Sequence, residues 1–369
     1  MKILLIETYF TGSHKQWAEG YKNNSSHQIK ILSMPGRFWK WRMHGGAVTL
    51  AREYKLLEWN PELIIVTDML DLTTFIGLAK KEIVDIPIAL YFHENQINYP
   101  WSPNDRDKQK KRDNHYGFIN YASALAADRV FFNSNFHKNT FLNSLTPFLK
   151  NFPDHNELSS IDNIKSKSEV LYLGLDLSKF DSYEVKNSEK PLILWNHRWE
   201  YDKNPELFFS TLEKIKNNGQ EFELAILGEN FSKCPTVFEK AKKVFKENIV
   251  QFGFAHSFED YANWLWKADI LPVTSDQDFF GVSIIEAIYC GTWVILPNQL
   301  AYPELLPVKL HQNHLYNSEK ELQEKINWAL SNYKQIRLRC FQNTVKHFNW
   351  KNLVSHYDNK MQKIKKIKT

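Results

Sequence analysis

Short apolar runs alternate with longer segments of helical periodicity along the chain. Five runs of strand length lie in the first half, at residues 3–7, 63–67, 88–92, 129–133 and 169–173. This alternation is typical of βαβ units, in which each helix connects two parallel strands. The first half of the chain is therefore predicted to form one parallel sheet covered by helices.

A polar stretch at residues 181–190 separates this series from a second one. Strand-like runs then lie at 191–195, 223–227, 249–252, 270–274 and 293–296, and helical segments such as 205–216 and 258–267 lie between them. We therefore predict an α/β protein with two Rossmann-like domains, over residues 1–182 and 191–345. A C-terminal helix over 346–369 could pack back on the first domain.

The length of the chain indicates two domains, and its composition favours a cytoplasmic location. A chain of 369 residues exceeds what one hydrophobic core usually supports. No apolar stretch is long enough to span a bilayer, and the first apolar run is too short for a signal peptide. We expect a soluble cytoplasmic protein with no membrane attachment. The odd set of Cys234, Cys290 and Cys340 lacks CxxC spacing, so free thiols are expected.

Polar residues follow the predicted strands in both halves. They lie at 11–15, 68–71 and 93–96 in the first half and at 196–198, 228–229 and 274–276 in the second. Open parallel sheets bind ligands beyond the carboxyl ends of their strands. Two such rows that face each other would define a cleft, which is where we expect the chemistry.

The segment 278–287 predicts a loop, a glycine and the start of a helix. Backbone N–H groups and the helix dipole at such a start attract anions, so Gly281, Val282 and Ser283 are predicted to hold a diphosphate. Glu286, about one turn into the helix, could accept hydrogen bonds from ribose hydroxyls. Ordinary helix packing could also explain the glycine, but a second acid at Asp278 favours a binding site.

This pattern of two acids around Phe-Gly resembles the donor site of retaining glycosyltransferases with the GT-B fold, in which two Rossmann-like domains face each other across a cleft. The resemblance implies that Asp278, which stands in place of the usual glutamate, approaches the hydroxyls of the donor sugar. It implies that Glu286 binds the ribose of the nucleotide.

The segment 197–205 contains two cations, Arg198 and Lys203, after the first strand of the second half. Fixed cations stabilise the negative charge that develops on a departing nucleoside diphosphate. The same family uses an Arg followed by a Lys before a short helix as its pyrophosphate clamp, and the resemblance gives both residues that role. They could instead merely solvate the helix start. Gly228 is included among the donor-binding candidates.

Residues 91–96 carry the main candidate of the first half, His93. The resemblance implies that this side chain hydrogen-bonds the transferred sugar, although a histidine at a strand end is often only structural. Gly12 would permit close approach of donor or acceptor. The residues that could orient or contact the acceptor are His14, Lys15, Glu94, Asn95 and Gln96.

Longer motifs, spread over nearly the whole chain, resemble those of the tRNA-queuosine α-mannosyltransferases. They comprise Glu7 with 12–16, 91–96 with 99–100, 116–117, 131–135, 153–155, 197–205, 279–291, 302–304 and 348–350. The resemblance implies transfer of mannose from GDP-mannose to the cyclopentenediol of queuosine in a tRNA anticodon, with retention. Arg198, Lys203 and the helix start would neutralise the diphosphate, so no metal and no other cofactor is expected.

The implied tRNA partner gives a use to interleaved cations and rings at residues 37–42. Such a pattern suits phosphates and unstacked bases, although the Trp side chains could instead fill the core. The candidate tRNA contacts are Arg37, Trp39, Lys40, Trp41 and Arg42, with Arg112, His115 and Tyr116 as a second group.

Two alternatives stay open: a related glycosyltransferase with another sugar nucleotide and a glycan, lipid or small-molecule acceptor, and a catalytically silent RNA-binding protein. The sequence carries no signal for the oligomeric state.

Overall fold

The structure, a computed structural model, describes residues 1–102, 105, 107, 114–228, 235–339 and 341–368, with side chains to residue 364. The chain forms two compact units. Unit 1 comprises Met1–Leu175 and the segment from Trp350 onward, and unit 2 comprises Asp176–Asn349. Both units are α/β, which confirms the predicted fold class.

Unit 1 contains a six-stranded parallel sheet with the order β2-β1-β3-β4-β5-β6. Its strands are β1 (Lys2–Phe10), β2 (Gln28–Pro35), β3 (Leu63–Thr67), β4 (Ile88–Phe92), β5 (Arg129–Phe132) and β6 (Ser168–Val170). Its helices are α1 (Gly12–Asn24), α2 (Trp39–Lys55), α3 (Leu72–Leu78), α4 (Asn114–Ala126), α5 (Asn135–Leu149), α6 (Ser160–Ser166) and α15 (Trp350–Lys368).

The core of unit 1 explains why the central strands are apolar throughout. Both β3 and β4 are buried along their whole length. Continuous apolar runs are typical of parallel strands that are covered on both faces. Helix α15 packs on α1, and Trp350 lies so close to the backbone that a Cβ at Gly20 or Gly174 would clash with its indole.

Unit 2 repeats this architecture with the strand order β12-β11-β10-β7-β8-β9. Its strands are β7 (Leu192–Trp195), β8 (Glu223–Leu227), β9 (Ile249–Gly253), β10 (Ile270–Pro272), β11 (Trp293–Pro297) and β12 (Leu315–Tyr316). Its helices are α7 (Pro205–Asn217), α8 (Thr236–Val244), α9 (Phe258–Lys267), α10 (Val282–Tyr289), α11 (His311–His314), α12 (Glu319–Ser331), α13 (Tyr333–Ile336) and α14 (Gln342–Val345). Short 3-10 helices lie at Ser178–Tyr183, Tyr201–Lys203, Tyr302–Leu305, Val308–Leu310 and Lys346–Phe348.

Two details of the organisation differ from the sequence-based expectation. The sheet of unit 1 has an edge strand, β2, that the apolar pattern does not reveal, because exposed and buried positions are mixed along it. Unit 1 ends at Leu175 rather than at residue 182. The reason is that the 3-10 helix Ser178–Tyr183 packs in unit 2, where the Phe180 ring lies 4.9 Å from that of Phe258.

No helix in the described part of the chain is long and apolar enough to cross a membrane. Cys290 is a buried free thiol, and burial raises its pKa. A high pKa and low exposure make a thiol unreactive, so Cys290 is assigned to packing. Cys234 and Cys340 lie outside the described residues.

Candidate active site

A buried ion pair lies at the carboxyl edge of the sheet of unit 1. His14, in the first turn of α1, places Nδ1 at 2.9 Å from Glu7 Oε2, and the Glu7 side chain is fully buried. Although burial lowers the pKa of His14, the charge and hydrogen bond of Glu7 raise it to about 9, with help from Asp68 and Glu94. His14 is therefore a fixed imidazolium at neutral pH.

His93 stacks on this imidazolium. The two ring centroids are 4.1 Å apart with an interplanar angle of 30°, and the backbone N–H of His93 donates to Asp68 Oδ1 at 2.7 Å. Burial and the nearby charges of His14 and His137 hold the pKa of His93 well below its usual value, so this ring is neutral. Both of its ring nitrogens are buried, and among the described residues neither has a hydrogen-bond partner. Buried polar atoms usually have partners, so these nitrogens are suited to a ligand.

Glu7, His14 and His93 are also close enough to be considered as metal ligands, since their ligand atoms all lie within 4.8 Å of one another. Ligands of a metal converge on one point, however. Two stacked imidazoles direct their in-plane lone pairs past each other, and Glu7 already accepts from the backbone N–H of Tyr9 at 2.8 Å. The geometry fits an ion pair against a neutral ring, and metal independence stays a prediction.

The loop after β4 is held partly by its own side chains. Asn95 is fully buried, and its Oδ1 accepts from the backbone N–H groups of Ile97 and Asn98 at 3.1 and 2.9 Å. Gln96 Nε2 donates to Glu94 Oε1 at 2.8 Å. Asn95 thus shapes the loop, and its Nδ2 is buried with no partner in the part of the chain that the structure describes.

The first turn of α1 is open to a ligand. Gly12 has a φ of 50°, and nothing lies within 4 Å of the position that a Cβ would take. Lys15 is half-exposed, 3.9 Å from Glu19. Close approach to Gly12 is therefore sterically possible, as the sequence predicts.

The basic and aromatic segment at residues 37–42 divides into inner and outer side chains. Lys40 Nζ contacts Asp105 and Asp107 at 2.6 and 2.5 Å, and Arg42 Nε donates to the carbonyl of Pro35 at 3.1 Å. These two cations are thus engaged within the protein, and their contact with tRNA phosphates stays a prediction. Their long side chains reach acceptors that the sequence does not reveal.

The aromatic side chains at residues 37–42 also divide into packed and exposed ones. Trp39 packs on Tyr116, with ring centroids 5.0 Å apart, whereas Trp41 is 63% exposed. Arg37 is exposed as well. His115 packs edge-on against His44 at 4.4 Å. Arg112 lies outside the described residues.

In unit 2, Lys203 lies among acceptors at the end of a 3-10 helix. Its Nζ donates to the carbonyl of Gln277 at 2.7 Å and lies 3.3 Å from Asp202 Oδ2 and 3.9 Å from Asp278 Oδ2. Lys203 is 8% exposed and Asp202 is 2% exposed. Arg198, by contrast, has a half-exposed side chain, 3.4 Å from Glu200. Lys203 is the fixed cation of this edge, and Arg198 is the accessible one.

The start of α10 has the expected form of an anion site. Gly281 adopts a φ of 99°, which favours glycine, directly before the helix. The Ser283 hydroxyl lies 3.3 Å from His197 Nδ1. Burial, together with Lys203 and Arg198, lowers the pKa of His197 to about 3, so that ring is neutral.

Gly228 allows two loops of this edge to approach each other. A Cβ at Gly228 would lie 2.2 Å from the carbonyl oxygen of His197. Any other residue would therefore displace the segment that carries His197 and Arg198. Gly228 therefore fixes the spacing of these two loops.

The two acids around Gly281 are both held in place. Glu286 is 7% exposed, and the hydroxyl of Tyr261 on α9 donates to its Oε2 at 2.7 Å. Burial raises the pKa of Glu286, while Lys179 and the bond from Tyr261 oppose that rise. Asp278 Oδ1 accepts from the backbone N–H of Phe280 at 3.2 Å.

Two Asp-x-Asp spacings, at Asp105 with Asp107 and at Asp276 with Asp278, also occur in the sequence. Within the described ranges neither belongs to a group of three potential metal ligands. Lys40 binds the first pair, and the members of the second pair lie near different groups.

Sequence reasoning missed the roles of Tyr261, Asp202 and Asp68. Tyr261 lies 25 positions from Glu286, to which its hydroxyl donates. Asp68 lies 25 positions from His93, whose backbone N–H donates to it. No local pattern connects residues at such separations. Two local signals were present: Asp68 lies in a polar loop after a strand, and Asp202 lies in the segment 197–205 directly before Lys203.

Comparison with known proteins identifies both units. Residues 2–175 match the family described as tRNA-queuosine alpha-mannosyltransferase N-terminal, and residues 178–347 match glycosyl transferases group 1. The tRNA-queuosine alpha-mannosyltransferase of Drosophila melanogaster is 33% identical over 338 residues, which are 88% of this chain and 85% of that protein.

Solved structures support the fold. A glycosyltransferase from Rickettsia africae has a TM-score of 0.67 at 17% identity, covering 98% of both chains. A sucrose-phosphate synthase from Thermosynechococcus elongatus has a TM-score of 0.71 at 14% identity, covering 99% of both chains. Likeness at these identities shows the GT-B fold alone, whereas the match to the Drosophila protein shows that this chain belongs to the tRNA-queuosine alpha-mannosyltransferase family.

Proposed function

We propose that the protein transfers mannose from GDP-mannose to queuosine in a tRNA, with retention of the α configuration. The observation that carries this proposal is the 33% identity to the Drosophila tRNA-queuosine alpha-mannosyltransferase over 88% of the chain. The half-sites of units 1 and 2 provide groups that fit the acceptor and donor. Because the acceptor is a tRNA, we place the reaction in the cytoplasm.

The donor occupies unit 2 in this proposal. The diphosphate lies at the backbone N–H groups of Gly281, Val282 and Ser283, and Glu286 accepts from the ribose hydroxyls. Lys203, buried and held by the Gln277 carbonyl, supplies a preorganised positive charge beside Asp278. Such a charge stabilises the departing diphosphate without reorganisation during the reaction.

The half-site of unit 1 completes the reaction. The neutral His93 ring has free nitrogens that suit a hydroxyl of the transferred sugar, and the His14 imidazolium lies against it. The bond between the anomeric carbon and the β-phosphate oxygen breaks, and a hydroxyl of the cyclopentenediol bonds to that carbon on the same face. The proton of that hydroxyl passes to the departing phosphate oxygen. No protein nucleophile and no metal take part.

The experiment is mass spectrometry of nucleosides from queuosine-containing tRNA after incubation with the protein and GDP-mannose in EDTA. We expect a hexose on queuosine, released by an α-mannosidase. Parallel reactions with UDP-glucose and GDP-fucose test the donor, and Glu286→Ala serves as the inactive control. Unmodified queuosine together with transfer to another acceptor would refute the proposal.

A further inference from the structure

Two large aromatic rings project at the start of α2 in unit 1. Phe38 is 77% exposed and Trp41 is 63% exposed. The backbone N–H groups of Trp41 and Arg42 donate to the carbonyl of Phe38 at 2.8 and 3.0 Å. The first helical turn therefore fixes the backbones that carry both rings.

The local backbone is arranged to present these rings. Phe38 has φ 54° and ψ 55°, a left-handed conformation that is unfavourable for a bulky residue. Backbone strain of this kind often accompanies a functional position. Gly45, one turn after Trp41, makes room for the indole, since a Cβ there would lie 2.5 Å from ring atoms.

The backbone that carries the rings lies beside the predicted acceptor half-site. A Cβ at Gly36 would lie 2.2 Å from the Thr11 side chain, so the segment that carries Phe38 touches the loop directly before Gly12. A Cβ at Gly46 would likewise lie 2.7 Å from the side chain of Thr8. The start of α2 therefore lies beside the loop that leads into α1, which carries His14.

The charges beside the rings favour an anionic partner. Arg37 is exposed directly before Phe38, and Lys15, in the first turn of α1, is half-exposed. Lys40 and Arg42, by contrast, are engaged internally, so they brace the segment from within. Exposed rings with flanking cations are the arrangement by which proteins bind unpaired nucleotides.

We propose that Phe38 and Trp41 form a stacking platform for unpaired nucleotides of the tRNA anticodon loop, with Arg37 at the phosphates. This inference rests on the proposed function, which requires a single-stranded part of the tRNA at this edge. Phe38 lies within the segment 37–42 but is not among the contacts predicted from the sequence.

The test compares Phe38→Ala and Trp41→Ala with Val48→Ala and Leu56→Ala. The two controls remove apolar side chains on or directly after α2 that are 55% and 77% exposed but carry no ring. Base stacking contributes about 1–3 kcal/mol per ring, so each ring variant should raise the KM for tRNA about tenfold. The kcat and the KM for GDP-mannose should stay at wild-type values, and Trp41→Phe should restore most of the tRNA affinity.

Direct binding separates this inference from the proposed function. A fluorescent anticodon stem-loop RNA should bind the wild type and the controls but bind both alanine variants about tenfold more weakly. This result supports the stacking platform even if GDP-mannose gives no transfer. If both alanine variants instead bind tRNA as the wild type does, and transfer is normal, the platform is refuted but the proposed function is not. The platform would also be refuted if both alanine variants lost binding to anionic lipid vesicles but kept wild-type binding to RNA. Circular dichroism melts confirm that each variant is folded.

Discussion

Replacing Lys203 by methionine should destabilise unit 2 as well as stop transfer. Methionine retains most of the length of the side chain but removes the charge. Asp202, 2% exposed, would then lose the ammonium group that lies 3.3 Å from its Oδ2. The carbonyl of Gln277 would lose its donor at 2.7 Å.

The expected size of the effect follows from this burial. Removal of one partner of a buried ion pair costs about 3–5 kcal/mol, because the remaining charge is left in a poorly solvated site. For a cooperative unit of about 150–250 residues, each 1 kcal/mol lowers the Tm by about 2–4 °C. We therefore expect a fall of roughly 10 °C. Adding Asp202→Asn to Lys203→Met removes the unpaired charge and should restore most of the lost Tm.

Differential scanning calorimetry and the transfer assay together test this reasoning. Asp202→Asn/Lys203→Met should melt near the wild type but remain inactive, since it still lacks the cation at the diphosphate. Lys214→Met is the matched control, because Lys214 pairs with Glu319 where both side chains are about half-exposed. Surface pairs contribute about 0–1 kcal/mol, so its Tm should change little. A Lys203→Met protein that melts at the wild-type temperature would refute the argument.

Three other results are expected. Tyr261→Phe removes a hydrogen bond to the buried Glu286, a loss of about 1.5–3 kcal/mol, and should raise the KM for GDP-mannose at least tenfold but not that for tRNA. Tyr289→Phe breaks a similar bond, to Asp181, and leaves the bond between Tyr261 and Glu286 in place, so it should leave both constants unchanged; equal effects would contradict the role of Tyr261. Glu7→Gln should lower the pKa of His14 from about 9 toward 6.5, as measured by NMR. Because this pKa is raised on folding, its contribution to stability is complete below pH 6.5 and is lost as pH rises through about 9, so wild-type stability should fall over this range more than that of Glu7→Gln. If the wild type and Glu7→Gln lose stability equally over this pH range, the ion pair of His14 and Glu7 does not contribute in this way. Dialysis against EDTA should leave transfer unchanged, whereas recovery only on adding a divalent ion would show that a metal is required.

The central strands could be predicted because they are buried on both faces. The five residues of β3 and of β4 are all buried, and the matching apolar runs are continuous in the sequence. The edge strand β2 could not be predicted in this way. Gln28 and Lys30 are exposed on it, so its apolar residues do not form a run.

The donor half-site was partly predictable for a similar local reason. A glycine before a helix, followed by an acid one turn later, is a pattern within one segment, and Gly281 has the positive φ that this position needs. The clamp of Arg198 and Lys203 came from family resemblance. Its electrostatic setting did not, because Lys203 is held by the Gln277 carbonyl, 74 positions away.

The sequence by itself therefore determined the two α/β units, the loops that carry chemistry and the family, because strand periodicity, helix starts and long motifs are local properties of a chain. Only the tertiary structure decided which cations and rings remain available to a ligand. Lys40 is neutralised by Asp105 and Asp107, 65 and 67 positions away, while Trp41 stays exposed on the same helix. Solvation and ion pairing depend on neighbours that folding brings together, and these neighbours leave no periodic trace in the sequence.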